Sequence, residues 1–307
     1  MISWAHGTVG LADKCAPSKG GDQGSYGGAE PLVQGWLEDG YAVVATDYEG
    51  LGTPGIHPYL QGDSEAHGVL DIVRASRALA PSLSKRVVIA GHSQGGHAAL
   101  FAAENAPGWS RDVNHLGTVA YAPPADLQLQ GALIGLMPND AYGLAALATS
   151  ILRGAVASDP SIDPAAILTE EAYRHWPEVE TMCLDELGES FAATETGPRD
   201  LLRPGVLSGP DGAGFKTVLG EMDPTIKTGR PLMILQGRQD TTVQPVLTDS
   251  LVTRLRAENP GTQIDYFVYG DAGTVDIPTA MPSTHGSVLA DSNYEVDAFL
   301  AFRFSGL

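Results

Sequence analysis

Arg86-Val87-Val88-Ile89-Ala90 runs without interruption into Gly91-His92-Ser93-Gln94-Gly95-Gly96. The β-branched run has the character of a strand buried on both faces, and the small residues of His97–Glu104 behind it predict a helix. The chain must therefore turn from strand into helix within a few residues. Glycines at 91 and 95 suit a turn too sharp for side chains at both flanks. A strand that feeds directly into a helix belongs to a parallel sheet built from βαβ units.

The same alternation recurs on either side. Ile2–Ala5 predicts a short strand followed by the turn-rich His6-Gly7-Thr8-Val9-Gly10, and Asp13–Gly28 reads as loop. Glu30–Glu38 predicts a helix closed by Gly40, and Tyr41–Thr46 an apolar strand buried on both faces. Ser64–Leu79 has helical spacing, with Ser64 as its expected N-cap. A further strand is expected around Leu116–Tyr121. After Pro123-Pro124 the rhythm stops, and Asp126–Met222 reads as helices and loops without a convincing strand. Pro231–Gly237 restarts it, followed by a helix through Leu247–Arg256, the strand Gln263–Tyr269 and a last helix over Ser287–Phe302. The expectation is an α/β fold with a mostly parallel central sheet flanked by helices. Its catalytic domain is discontinuous (1–125 and 223–307), and 126–222 form an inserted helical cap or lid.

The formal net charge is −19, from 37 acidic and 18 basic side chains, which disfavours nucleic acid and anionic headgroups as partners. No apolar run reaches the roughly 20 residues that span a bilayer. MISWAHG has neither a basic n-region nor an apolar h-region, so export would require a leader outside this sequence. Cys15 and Cys183 are too far apart for a CxxC motif, which leaves one disulfide or two inert thiols.

Gly91-His92-Ser93-Gln94-Gly95 fits G-x-S-x-G in the strand–turn–helix setting of a nucleophile elbow, with Ser93 as nucleophile. A serine hydroxyl is weak near neutral pH, so a base must take its proton and an acid must orient that base. The chain order expected is serine, acid, histidine. His285 stands beyond the last predicted strand and is the expected base. His92 and His97 adjoin the elbow but would face away from Ser93, and His57, His67, His115 and His175 read as surface or loop-packing residues. Asp240, in the turn after Pro231–Gly237, is the expected acid, with Asp271 and Asp276 as alternatives. The oxyanion hole is expected from the backbone N–H groups of Gln94 and Thr8, although His6-Gly7-Thr8 also reads as a plain tight turn.

Trp4–Gly10 (WAHGTVG), Cys15–Ser18 (CAPS), Ala45–Gly55 (ATDYEGLGTPG), Ala90–Leu100 (AGHSQGGHAAL) and Gly237–Val243 (GRQDTTV) together resemble the secretory lipase family, which includes the fungal lipase A type and actinobacterial relatives. The resemblance implies an α/β-hydrolase fold, ester hydrolysis by an esterase or lipase without metal or cofactor, a helical lid, and secretion. Carried over, it also implies a Cys15–Cys183 disulfide anchoring the cap. Members of the family normally carry two more strands before the segment matching WAHGT. Their absence here is expected to leave Tyr41–Thr46 at the sheet edge, where an apolar strand invites a homodimer.

Gly131–Gly154, the most apolar part of the cap, reads as two short helices broken at Met137-Pro138-Asn139-Asp140. It serves either as a lid lining an acyl channel or as the cap's own core. Small esters, lipids and polyesters all remain open as substrates. Competing readings are an acyltransferase or peptidase with the same triad, a non-catalytic hydrolase-like binding protein, and an inactive fragment.

Overall fold

The computed structural model of the chain describes residues 1–21, 23–270, 277–278 and 283–306. Among the described residues, seven parallel strands form one sheet: β1 (Ile2–Ala5), β2 (Val43–Thr46), β3 (Arg86–His92), β4 (Asn114–Tyr121), β5 (Leu232–Gly237), β6 (Ile264–Gly270) and β7 (Ile277–Pro278). Their spatial order is β2-β1-β3-β4-β5-β6-β7.

Helices cover both faces, which is why the central strands are apolar throughout rather than alternating. On one face, Val88 and Ala90 of β3 pack toward α1 (Glu30–Glu38) and the C-terminal helices α11 (Val288–Asp291) and α12 (Asn293–Ser305). On the other, Val87 and Ile89 pack toward α2 (Gly62–Leu79) and α3 (Gln94–Trp109). Beyond β4, α10 (Pro245–Glu258) continues that second layer through Leu251, Val252 and Leu255.

Between β4 and β5 the chain forms α4 (Leu127–Leu133), a 3₁₀ turn (Ile134–Leu136), α5 (Tyr142–Ser158), the single turns α6 (Pro164–Ile167) and α7 (Glu170–Tyr173), α8 (Leu184–Ala193) and α9 (Ala213–Glu221). Among the described residues this stretch holds no strand, only isolated bridges. It has a core of its own, centred on Leu127, Ala146, Leu152, Phe191, Phe215 and Leu219.

Three sequence expectations need correction. β2 is half-buried rather than buried on both faces, because it is an edge strand paired only with β1. Ser64 does not cap α2; the helix starts at Gly62 behind Gln61, and Ser64 Oγ donates to Glu49 Oε2 at 2.6 Å. The last predicted helix is two helices separated at Ser292, whose hydroxyl bonds the Val288 carbonyl at 2.7 Å.

The helical insertion is tied to the sheet side at one dense point. Cys15 and Cys183 are disulfide-bonded, with Cα atoms 5.5 Å apart and a sequence separation of 168. Beside the bond, Gly10 bridges to Cys183, Leu184 N donates to the Val9 carbonyl at 3.0 Å, and Lys14 pairs with Glu186 at 2.6 Å. Gly10 sits at φ 108° with Cys183 Cα 2.8 Å from where a Cβ would be, so this crossing needs glycine.

A loop this long makes the cross-link a strong restraint on the unfolded chain, on the order of 3–5 kcal/mol. The Cys15→Ala/Cys183→Ala variant should lose stability in that range in a urea titration. Thiol titration of the denatured, unreduced protein should find no free thiol, and two reactive thiols would contradict the pairing.

Candidate active site

β3 ends at His92, and α3 begins at Gln94, leaving Ser93 alone to make the turn. Ser93 adopts φ 55° and ψ −118°, a conformation that costs a non-glycine residue energy and persists only when its surroundings impose it. Here they do so through backbone contacts. Ser93 N donates to the Tyr121 carbonyl at 2.8 Å. A Cβ at Gly91 would collide with the Gly95 carbonyl, and one at Gly95 with the Ala5 carbonyl. The glycines therefore let α3 start against the ends of β1 and β3, with the Ser93 side chain facing the cleft above the sheet.

Two further loops leave the same sheet end. The turn after β5 carries Asp240, which is 4% exposed and accepts four hydrogen bonds. Thr242 N and Val243 N each donate to Oδ1 at 2.8 Å, Gln236 Nε2 donates to Oδ2 at 3.0 Å, and His285 Nδ1 donates to Oδ2 at 2.7 Å. With every lone-pair direction engaged, the carboxylate has one orientation, and it holds the His285 ring with Nδ1 protonated. The His285 loop is pinned to the same turn, because Gln239 N donates to the Ser283 carbonyl at 2.8 Å and Ser283 N to Gln239 Oε1 at 2.9 Å. Ser93 and His285 line one cleft; among the described contacts no hydrogen bond joins Ser93 to His285, a bond that in such sites commonly tightens only around substrate. Asp271 and Asp276, the alternative acids, lie outside the described residues.

Thr8 and Gly7, in the loop after β1, border the same cleft. The β1–β3 register, with Ala5 opposite Gly91, sets that loop beside the elbow. Gln94 opens α3, so its N–H is one of the first-turn donors without an intrahelical acceptor. All five expected chemical residues, Ser93, Asp240, His285, Thr8 and Gln94, thus gather at one end of the sheet.

Sequence reasoning missed two residues that support them. Gln236, buried in β5, is locked by Thr248 Oγ1 donating to its Oε1 at 2.7 Å and holds Asp240 from below. His92 Nε2 donates to the His285 carbonyl at 2.7 Å, so the histidine beside Ser93 restrains the loop of the distant one. An inward-facing amide on a central strand is a readable signal for the first. The second depends on a contact across 193 residues that no local pattern reveals.

Two cavities meet at Ser93. One, about 100 Å³, lies under the helical insertion and is walled by apolar side chains such as Leu127, Ile134, Leu147, Ile151 and Phe215. The other is an open cleft of about 1090 Å³ bordered by His285, Thr8, Gln244 and residues of α8. Gly131–Gly154 contributes both to the core of the insertion and to the wall of the apolar cavity. Ala145, Ala146 and Leu152 fill the core of the insertion, while Gly131, Ile134, Leu144, Leu147 and Ile151 face the apolar cavity.

A model of the secretory lipase family matches residues 28–209. Lipase A of Moesziomyces aphidis is 34% identical over 90 residues, covering 28% of this chain and 18% of that protein. Among solved structures, a ligand-bound form of the rice cell wall degrading esterase LipA from Xanthomonas oryzae superposes with a TM-score of 0.75 at 20% identity, over 97% of this chain and 79% of that one. The closed state of Candida antarctica lipase A gives 0.74 at 20% identity, over 99% and 70%. The shared architecture is the α/β-hydrolase fold.

Burial dominates the electrostatics of the imidazoles near the sheet. It pushes His6 down from the ordinary value near 6.5 to about 4 and His115 to about 4. His92 falls to about 3 through burial first and then the neighbouring His285 ring. All three stay neutral in the folded state well below the pH at which they protonate when unfolded. Their contribution to stability is therefore complete above about pH 6.5 and is lost progressively as pH falls toward 4. Unfolding near pH 5 should take up about three protons through these groups, a slope of roughly 4 kcal/mol per pH unit. His115→Gln, far from the cleft, should reduce that uptake by about one proton in urea titrations between pH 7 and 4.5. An unchanged slope in that variant would refute the assignment.

Proposed function

Because the chain belongs to the secretory lipase family, we propose that it is a serine-dependent carboxylic-ester hydrolase working through an acyl-enzyme. The observation that carries this reading is the Asp240–His285 hydrogen bond of 2.7 Å opening onto the cleft that Ser93 also lines. His285 takes the Ser93 proton as the hydroxyl attacks the ester carbonyl. Asp240 keeps the ring oriented and stabilises the imidazolium that forms. The N–H groups of Gln94 and Thr8 stabilise the oxyanion. His285 then protonates the leaving alcohol and activates the water that releases the acid.

The two cavities divide the ester between them. The acyl chain enters the apolar cavity beneath 126–222, which act as the cap, and the alcohol and incoming water use the open cleft. At about 100 Å³ the acyl cavity is smaller than the roughly 150 Å³ that admits benzene, which favours short acyl groups over long lipid chains and polyesters. The buried disulfide suits an oxidising compartment, in keeping with secretion.

Hydrolysis of p-nitrophenyl esters from acetate to palmitate should be fastest at about four carbons or fewer. Ser93→Ala should abolish turnover, and Asp240→Asn should lower kcat by about 10⁴ in a protein that still folds. Full activity in Ser93→Ala would end the reading. Full activity in Asp240→Asn would pass the acid's role to Asp271 or Asp276, and a palmitate optimum would reject the short acyl site.

A further inference from the structure

Gln94 stands where its backbone N–H can meet the oxyanion, yet its side chain points the other way, into a buried polar cluster. Gln94 Nε2 donates one hydrogen to Glu65 Oε1 at 2.9 Å and the other to His57 Nε2 at 2.8 Å. His57 can accept it because its Nδ1–H already donates to the Glu49 carbonyl at 2.8 Å, and burial lowers its pKa, keeping the ring neutral. Glu65 Oε1 also accepts from Leu60 N at 3.1 Å, in the wall of the apolar cavity. Glu65 Oε2 bonds His97 Nδ1 at 2.8 Å, and His97 Nε2 donates to the Met222 carbonyl at 2.7 Å, just beyond α9. Glu65 and His97 are both 0% exposed, and Gln94 is 2% exposed.

The donor count leaves this cluster little freedom. Met222 offers only an acceptor, so one proton must sit on His97 Nε2. The Nδ1–Oε2 contact needs a second proton, held by one partner or the other. Every polar atom named is then paired, the condition under which a buried network rigidifies instead of destabilising. The other arm of the oxyanion hole touches the same cluster. Tyr48 stacks on His57, with ring centroids 5.6 Å apart and planes 12° from parallel, and donates through Oη to the His6 carbonyl at 2.9 Å, two residues before Thr8.

We propose that Glu65 and His97 are positioning residues for the oxyanion hole: acting through the Gln94 side chain, they fix the direction of the Gln94 N–H and tie it to the segment leaving α9. The proposal rests on the ester-hydrolase reading above. Neither residue touches substrate. Their effect belongs in kcat, where oxyanion stabilisation is expressed, rather than in ground-state binding.

The cluster's own hydrogen-bond count supplies the discriminating variant. In Glu65→Gln the new amide oxygen accepts from Gln94 and Leu60 N, while its N–H donates to a neutral His97, so every bond is remade. That variant should keep kcat within about threefold of wild type. Glu65→Met breaks the links to Gln94 and His97, and Gln94→Leu breaks the first while leaving the backbone N–H. Each should lose roughly 10- to 100-fold in kcat on p-nitrophenyl butyrate with KM within about twofold. The double variant should fall no further than the worse single one, since both cut the same connection.

Folding is checked by near-UV circular dichroism, and Gln94→Leu keeps the test open if Glu65→Met does not fold. Wild-type kcat in folded Glu65→Met or in Gln94→Leu overturns the proposal. So does a loss in Glu65→Gln as deep as in Glu65→Met, a loss confined to KM, or losses that multiply in the double variant. A wild-type chain without Ser93-dependent turnover fails at the earlier step and takes both readings with it.

Discussion

The approach of α3 to the carboxyl ends of β1 and β3 is the contact on which the rest of the site depends. Ser93 can hold φ 55° only because the backbone on both sides has no room to relax, with Gly91 set against the Gly95 carbonyl of α3 and Gly95 against the Ala5 carbonyl of β1. That same approach brings three otherwise separate groups within reach of one another. The Ser93 side chain lines the cleft, the Gln94 N–H stands in the first turn of α3, and the Gln94 side chain turns to Glu65 of α2. A looser turn would separate the proposed nucleophile from its proposed oxyanion donors while leaving the sheet intact.

Polar groups around this junction are buried at a cost that hydrogen bonding has to offset. The structure meets it with near-complete pairing. Asp240 receives four donors, and Gln236 is locked by Thr248 on one side while it serves Asp240 on the other. The neutral imidazoles of His92 and His57 add directional bonds without adding charge. These groups sit on the sheet side of the cleft, whereas the helical insertion presents mostly apolar side chains to Ser93. That division matches an ester, whose carbonyl needs fixed dipoles and whose acyl chain needs only an apolar wall.

The parts of this arrangement legible in the sequence were those with a local signature. The Arg86–Ala90 strand, the two glycines, the loss of strand rhythm after Pro124 and its return at Pro231 are each visible within a dozen residues. They suffice for the sheet, for the insertion, and for proposing Ser93, Asp240 and His285 as candidates. What could not be read depends on partners far away in the chain. Ser64 has the composition of a helix cap but bonds Glu49 instead, and His57 looked like a loop-packing residue until Gln94 stood beside it. Tyr41–Thr46 has the composition of a fully covered strand, and its edge position follows not from that composition but from the resemblance-based expectation of missing outer strands, which the strand order matches. His92 adjoins Ser93 and was set aside as a base, yet its contact with the His285 carbonyl restrains the loop that carries the proposed one.

Among the described residues the helical insertion is held to the sheet side at its start, middle and end by different means. At its start, Arg254 of α10 pairs with Asp126, the residue ahead of α4, at 2.9 Å. Near its middle, the Cys15–Cys183 bond and the Gly10 crossing fix the start of α8 covalently. At its end, the Met222 carbonyl is held by His97, a residue of the elbow helix itself. Between the Asp126 ion pair and the disulfide, α4 is further linked by Gln130 Nε2 to the Ala125 carbonyl and by Gln128 Nε2 to the Lys216 carbonyl, both at 2.7 Å. There, Leu129, Leu133 and Leu136 remain 48%, 41% and 75% exposed, while Gly131 and Ile134 from the same turns face the apolar cavity. A helix with apolar groups on both sides gains less by staying in place than one whose outer face is polar. If the proposed acyl cavity enlarges for a bulkier substrate, the turn after α4 (Ile134–Leu136) can move without breaking any of these anchors. Motion of α8, or of the chain leaving α9, would strain the disulfide or pull on the cluster that orients Gln94.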